Sequence, residues 1–212
     1  MRNPWLDIPL ADYEGHMSLP AVDQARLLAD VFDEALAQYT PRSVAVLGCT
    51  GGNGFDRAVA RGVRRVVGVD LNPDYVAAAR ARYSGRIPGL ELYAGDVETD
   101  AIRFAPVDLV YAALLFEYVD PARALDRIRG MLRPNGVLVV VLQLPGPTVA
   151  AVTPSRYESI QTLAPCLKLV PPSMVRARAE ERDFRHVEER VVDAMAGKQL
   201  QVQVFRRMKA PA

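Results

Sequence analysis

Between residues 43 and 142, short runs of β-branched and aliphatic residues alternate with stretches whose apolar residues recur at helical spacing. The runs at 43–47, 65–69, 90–94, 108–112 and 136–142 predict strands, and the stretches at 53–61, 73–83 and 121–132 predict helices. A strand that reaches the next one through a helix runs parallel to it, and a parallel sheet needs cover on both faces. The pattern therefore predicts an α/β domain with helices on either side of a parallel sheet.

Both flanks depart from this rhythm. Val22, Leu27, Leu28, Val31, Phe32 and Leu36 recur near helical spacing over 20–39, where Pro20 suits a first helical position and Thr40-Pro41 ends the run. Residues 2–19 hold Trp5, Tyr13, Glu14, His16 and Met17 without clear periodicity, so 1–41 is expected to form a helical lid segment before a domain spanning 42–212. A connection rich in proline (Pro145, Pro147, Pro154, Pro165, Pro171, Pro172) leads to an expected helix over 173–184. Two alternating runs follow, HVEERVVDAM and KQLQVQVFRRM, separated only around Ala196 and Gly197, which predicts an antiparallel hairpin at the sheet edge. The expected fold is a Rossmann-like, doubly wound, seven-stranded and mostly parallel sheet closed by that hairpin.

A chain of 212 residues with 50% apolar content holds one full domain, not two catalytic ones. Its 26 basic and 25 acidic residues are interspersed, so no basic footprint for nucleic acid is present. No apolar stretch approaches the ~20 residues that span a bilayer, and the first residues lack the order of a secretion signal. A cytoplasmic protein with no membrane partner is expected; its oligomeric state is not readable. Cys49 and Cys166 make neither a disulfide framework nor a metal-ligand spacing, so no metal is expected.

The turn after the first strand, GCTGGNG, is followed by a strand that ends on Asp70. A dinucleotide fingerprint counted from Gly48 meets Thr50 and Asn53 where glycines belong, and counts from Gly51 or Gly52 fail as well. A P-loop needs Gly-Lys-Ser/Thr, and the chain has no lysine before Lys168. What remains is an acid 22 positions after Gly48, close to the ~20 that suits a ribose.

At this point a resemblance becomes specific. AVLGCTGGNGFD, VVGVDLNPDYVAAARAR, YAGDVETD, and DLVYAALLFEYV with RGMLRPNGVLVVV resemble, in order, the signature segments of class I S-adenosylmethionine-dependent methyltransferases. The resemblance implies S-adenosylmethionine as cofactor and a small-molecule methyl acceptor, reacting at oxygen, nitrogen or carbon. It implies that Gly48, Cys49, Thr50, Gly51 and Asn53 form the loop beside the methionine part, that Asp70 accepts the ribose hydroxyls and that Leu71 packs on adenine. Asp96 and Val97 would meet the adenine edge, and Ala112 and Ala113 would flank the methionine end. Two positions differ from the family pattern: Val46 stands where an acid is common, and Thr50 where a second glycine is.

Methyl transfer is an in-line displacement helped chiefly by positioning, so a base is needed only for a protonated acceptor. His16 is the catalytic candidate, because imidazole titrates near neutrality and lead-in segments of small-molecule methyltransferases fold over the pocket. Tyr13, Glu117 and Tyr157 are the substrate-binding candidates. After the fourth strand stands YAALLF in place of the Asn/Asp-Pro-Pro-Tyr/Phe motif that grips amino groups of bases or of protein glutamine. A nicotinamide-dependent oxidoreductase and a non-catalytic S-adenosylmethionine binder are the alternatives.

Overall fold

Every residue of the first strand, SVAVL, is buried, which is what a strand covered on both faces requires. The computed structural model describes residues 3–146 and 150–209; Arg2 of the lead-in and Pro147 of the proline-rich connection lie outside them. A 3-10 turn at Pro4–Leu6 is followed by α1 (Leu10–Met17), α2 (Gln24–Tyr39), β1 (Ser43–Leu47), α3 (Phe55–Ala60) and β2 (Arg65–Asp70). Next come α4 (Pro73–Tyr83), β3 (Gly89–Ala94), β4 (Val107–Ala113), α5 (Pro121–Met131) and β5 (Leu132–Gln143). The chain continues through α6 (Glu158–Gln161), α7 (Pro172–Glu180), β6 (Phe184–Asp193), a 3-10 turn at Met195–Gly197 and β7 (Gln199–Arg207).

The seven strands form one sheet in the order β3-β2-β1-β4-β5-β7-β6. The pairs from β3 through β5 are parallel, and β7 runs antiparallel to both β5 and β6. Leu28, Val31, Phe32 and Phe55 of α2 and α3 bury on one face, and Leu125, Ile128, Val175 and Ala179 of α5 and α7 bury on the other. Sequence order reverses between β1 and β4, which opens a crevice at their carboxyl ends, the place where open α/β sheets take ligands.

Local chemistry sets the element ends. Asn72 caps α4 by accepting the Asp74 N–H and Pro73 follows at the first helical position; Asp120 and Pro121 repeat the arrangement at α5. The helix expected from residue 20 starts at Gln24, because Asp23 turns at a φ of 45° just before it. The helix expected to reach 184 stops at Glu180, and Asp183 at φ 60° turns the chain into β6.

Two covers close the crevice. Over one side, Trp5 O accepts from Asn72 Nδ2 and Ile8 O from Tyr75 OH, each at 2.9 Å, and Glu14 of α1 pairs with Arg82 of α4. Over the other, residues 150–170 meet α1 through Ser159 Oγ to Asp12 Oδ2 at 2.6 Å and His16 Nδ1 to Ser155 Oγ at 2.9 Å. Ile8, Ile160 and Leu163 form a small core between the covers. α2 packs in the main core against α1, and its Gln24 and Leu28 face the crevice.

Gly52 holds a φ of +95°, and a Cβ there would lie 2.5 Å from Tyr83 Cε2. Gly52→Ala is expected to lower stability by about 3 kcal/mol, roughly 10 °C in melting temperature. Gly62→Ala is the control, since that position shares the positive φ but has nothing within 4 Å. Equal melting shifts in the two variants would show that the Tyr83 contact contributes nothing.

Candidate active site

The crevice encloses a cavity of about 220 Å³. Its sheet side is made by the turn after β1, the end of β2, the loop after β3 and the segment after β4. Its roof is made by Trp5, Tyr13 and His16 from one cover and Val152, Thr153 and Ile160 from the other.

Gly48 follows β1 at a φ of +71°, with its N–H on Val69 O at 2.9 Å. A Cβ at Gly48 would meet only the Leu115 side chain, at 3.9 Å, so the turn presents bare backbone to the cavity. Thr50 takes a φ of +48°, unusual for a β-branched residue, and its N–H is held by Asp70 Oδ2 at 2.7 Å. Asp70 Oδ1 accepts the Asn72 N–H at 2.9 Å. The carboxyl is 8% exposed, and burial raises its pKa to about 6 against the pull of these N–H bonds. Val46 is buried in the core. Asp70 tethers the loop from one side, and Arg82 from the other, its Nη1 donating to Gly51 O at 3.1 Å while it pairs with Glu14.

Gly48, Thr50, Asp70, Leu71, Asp96, Val97 and Ala113 all line the cavity. Asp96 Oδ1 accepts the Glu98 N–H at 2.7 Å. Cys49, Gly51, Asn53 and Ala112, expected beside them, are not on the wall. Cys49 is buried beneath the turn, its sulfur close to Gly68, and burial pushes its thiol well above the ordinary range. A side chain at Gly51 would meet Arg82 and Glu14, outside the cavity. Asn53 continues the turn with its N–H on Cys49 O, and Ala112 is enclosed in the second core.

At the other end, Tyr13, His16 and Glu117 line the cavity, whereas Tyr157 packs behind it in the small core with Trp5 and Tyr118. His16 is buried, and both burial and the charge of Lys198 lower its pKa, so it is neutral at pH 7. Glu117 is 2% exposed: Oε1 accepts the Gln143 N–H at 2.7 Å, and Oε2 has no partner. Burial raises its pKa to about 7. Tyr13 is likewise raised by burial, with Asp70 adding to the effect.

Gln24, Gln143 and Lys198 also line the cavity, and none was singled out from sequence. Lys198 precedes β7, where a lysine in an alternating run reads as a solvated side chain. The one available signal is its rarity, since the chain uses three lysines among 26 basic residues. No group of three or more His, Cys, Asp or Glu among the described residues is placed to hold a metal ion, and no helix there is long and apolar enough to cross a membrane.

Residues 45–140 match a family model described as a methyltransferase domain. The trans-aconitate 2-methyltransferase of Methylobacterium radiotolerans is 37% identical over 130 residues, covering 60% of this chain and 45% of that protein. An uncharacterised 37.1 kDa protein of transposon TN4556 from Streptomyces fradiae is 34% identical over 127 residues, covering 58% and 36%. The chain thus spans less than half the length of these relatives. Among solved structures, the N-methyltransferase NodS of Bradyrhizobium japonicum with S-adenosyl-L-homocysteine superposes at a TM-score of 0.69 and 16% identity, covering 98% of this chain and 100% of that one. The [4+2]-cyclase SpnF superposes at 0.66 and 15% identity, covering 85% and 82%.

Proposed function

We propose that this chain, which carries a class I S-adenosylmethionine-dependent methyltransferase domain, moves the methyl group of S-adenosylmethionine to oxygen, nitrogen or carbon of a small-molecule acceptor. The observation that carries the reading is the buried Asp70 carboxylate on the cavity wall beside the open face of Gly48. Asp70 Oδ2 takes the Thr50 N–H and Oδ1 the Asn72 N–H, with the Leu71 N–H also on the carboxyl, which fixes its two oxygens at the wall as acceptors for ribose hydroxyls. Asp96 uses Oδ1 on Glu98 and leaves Oδ2 for the adenine amino group, with Leu71 and Val97 as apolar walls.

When bound, the cofactor supplies a methyl carbon whose bond to sulfur breaks as the acceptor's lone pair bonds to it, the electron pair going to sulfur. The chain's part is to align and to keep water out. Trp5, Tyr13 and Tyr118 form an aromatic roof, with Trp5 edge-on to the other two at ring distances of 5.8 and 5.2 Å. Neutral His16 is the proposed base: Ser155 engages Nδ1, which leaves Nε2 to take a proton from the acceptor. Glu117 offers its free Oε2 to a donor group on the acceptor. The proposed lid is the 3-10 turn and α1, packed on α2, whose Gln24 and Leu28 also line the cavity.

The reading is supported by its fit to the relative named trans-aconitate 2-methyltransferase and to the S-adenosyl-L-homocysteine complex of the NodS fold. Calorimetry is expected to show one S-adenosylhomocysteine bound per chain and no heat with NADH. Incubation with methyl-labelled S-adenosylmethionine and a metabolite extract is expected to give labelled compounds of low mass. No binding of S-adenosylhomocysteine would refute the reading. Binding without any transfer would favour the non-catalytic alternative, and label only in macromolecules would refute a small acceptor.

A further inference from the structure

Lys198 lines the cavity but has no part in holding a nucleoside. The turn at Met195–Gly197, with Ala196 and Gly197 at positive φ, reverses the chain and delivers the Lys198 ammonium to the wall at 6% exposure. Nζ makes one hydrogen bond, to Ala151 O at 2.8 Å, which leaves two of its three N–H groups unused. Among the described residues it has no carboxylate partner, and its pKa is lowered to about 8 by burial alone. An ammonium buried without a counter-charge is costly, so a fold that keeps one in a cavity has a use for its charge.

Two side-chain amides on the same wall are donors too, while Glu117, whose Oε1 accepts the Gln143 N–H at 2.7 Å, is the acid there. Gln143 Nε2 shares the Ala151 carbonyl at 3.1 Å, and Gln24 Nε2 is buried on the same cavity's wall with no partner. His16 feels the Lys198 charge and is neutral. We propose that Lys198 anchors a carboxylate of the methyl acceptor, so that the acceptor is a small organic acid, an inference that rests on the methyltransferase reading above. A single ammonium matches a single negative charge, and among the described residues no arginine joins it on the wall. A phosphate dianion would bring a second negative charge to one cation on a wall that also holds the Glu117 carboxyl. The anchored carboxylate is the handle, because an ammonium on its oxygens draws off the electron density that attack on a methyl group requires; the methyl goes to another atom of the acceptor.

The test titrates the protein saturated with S-adenosylhomocysteine against benzoate, phenylacetate, succinate and fumarate, and against the corresponding neutral amides. At least one carboxylate is expected to bind, its amide about thirtyfold more weakly, and Lys198→Met to lose a similar factor. The Lys198 ammonium resonance, followed by NMR, is expected to titrate at higher pH once the carboxylate is bound. S-adenosylhomocysteine affinity reports whether the variant keeps its site. Equal binding of acids and amides, acid binding unchanged in Lys198→Met, or no acid bound by wild type that does bind S-adenosylhomocysteine would overturn the anchor alone. Failure of wild type to bind S-adenosylhomocysteine would instead overturn the methyltransferase reading.

Discussion

Asp70→Ala is expected to weaken S-adenosylhomocysteine binding about a hundredfold or more, measured by calorimetry at pH 7.5. Two effects combine. The wall loses the carboxyl proposed to accept the ribose hydroxyls, and hydrogen bonds to a charged acceptor are worth about 1.5–3 kcal/mol each. The loop also loses its tether: the N–H groups of Thr50 and Asn72, now on Asp70 at 2.7 and 2.9 Å, are left unpaired. Thr50 sits at a φ of +48°, a conformation that costs roughly 1–3 kcal/mol unless its surroundings hold it, so the turn at Gly48 relaxes with it. Asp70→Asn separates the two effects. Its one carbonyl oxygen can keep one N–H, while its amide faces the other, so folding suffers less than in the alanine variant and binding still falls. Asp70→Ala binding within threefold of wild type would remove this residue from the site.

The parts legible in the sequence are those whose physics is local. Strand and helix periods follow from which faces are covered, so the parallel sheet and the reversed last strand could be read directly. Helix α4 begins where Asn72 and Pro73 say it should, because a cap and a first-turn proline act within three residues. Gly48 and Asp70 could likewise be placed, one just after β1 and the other at the end of β2, whereas Thr50 and Asp96 are implied only by the resemblance; all four lie on the cavity wall. Reading whole segments as binding loops went too far for a physical reason: neighbouring residues of a strand point to opposite faces, so Ala113 reaches the cavity while Ala112 is enclosed in the core. The acceptor end depends on long-range contacts. Lys198 meets Ala151 across 47 positions and Gln143 takes its place beside Glu117 across 26, and no local pattern encodes either. Pro20 misled for a related reason: the turn from Leu19 to Asp23 is used to bury Val22, and the helix waits until Gln24.

Glu117→Gln is expected to stabilise the ligand-free protein by about 3 kcal/mol at pH 8 and to change nothing at pH 4. The Glu117 carboxyl titrates near 7 in the folded chain against an ordinary value of 4.5, and burial is the cause. Below pH 4.5 both folded and unfolded chains hold the proton, and the full stabilising contribution of the raised pKa is present. As pH rises from 4.5 to about 7 the unfolded chain releases the proton first, so stability falls by about 1.4 kcal/mol per unit, and the loss is complete above 7. Glutamine carries no charge to desolvate, and its carbonyl oxygen can still accept the Gln143 N–H that Glu117 Oε1 takes at 2.7 Å. Melting curves at the two pH values check this, with a gain of roughly 6–12 °C expected at the higher one. Asp70, raised from 3.8 to about 6 by burial, adds a slope of the same sign at lower pH, and that slope persists in the variant. The same substitution replaces the unpartnered Oε2 with an amide donor, so methyl transfer is expected to fall as stability rises, the pattern of a group kept for use at the cost of folding. A melting shift equal at both pH values would show that the buried charge of Glu117 is not its source.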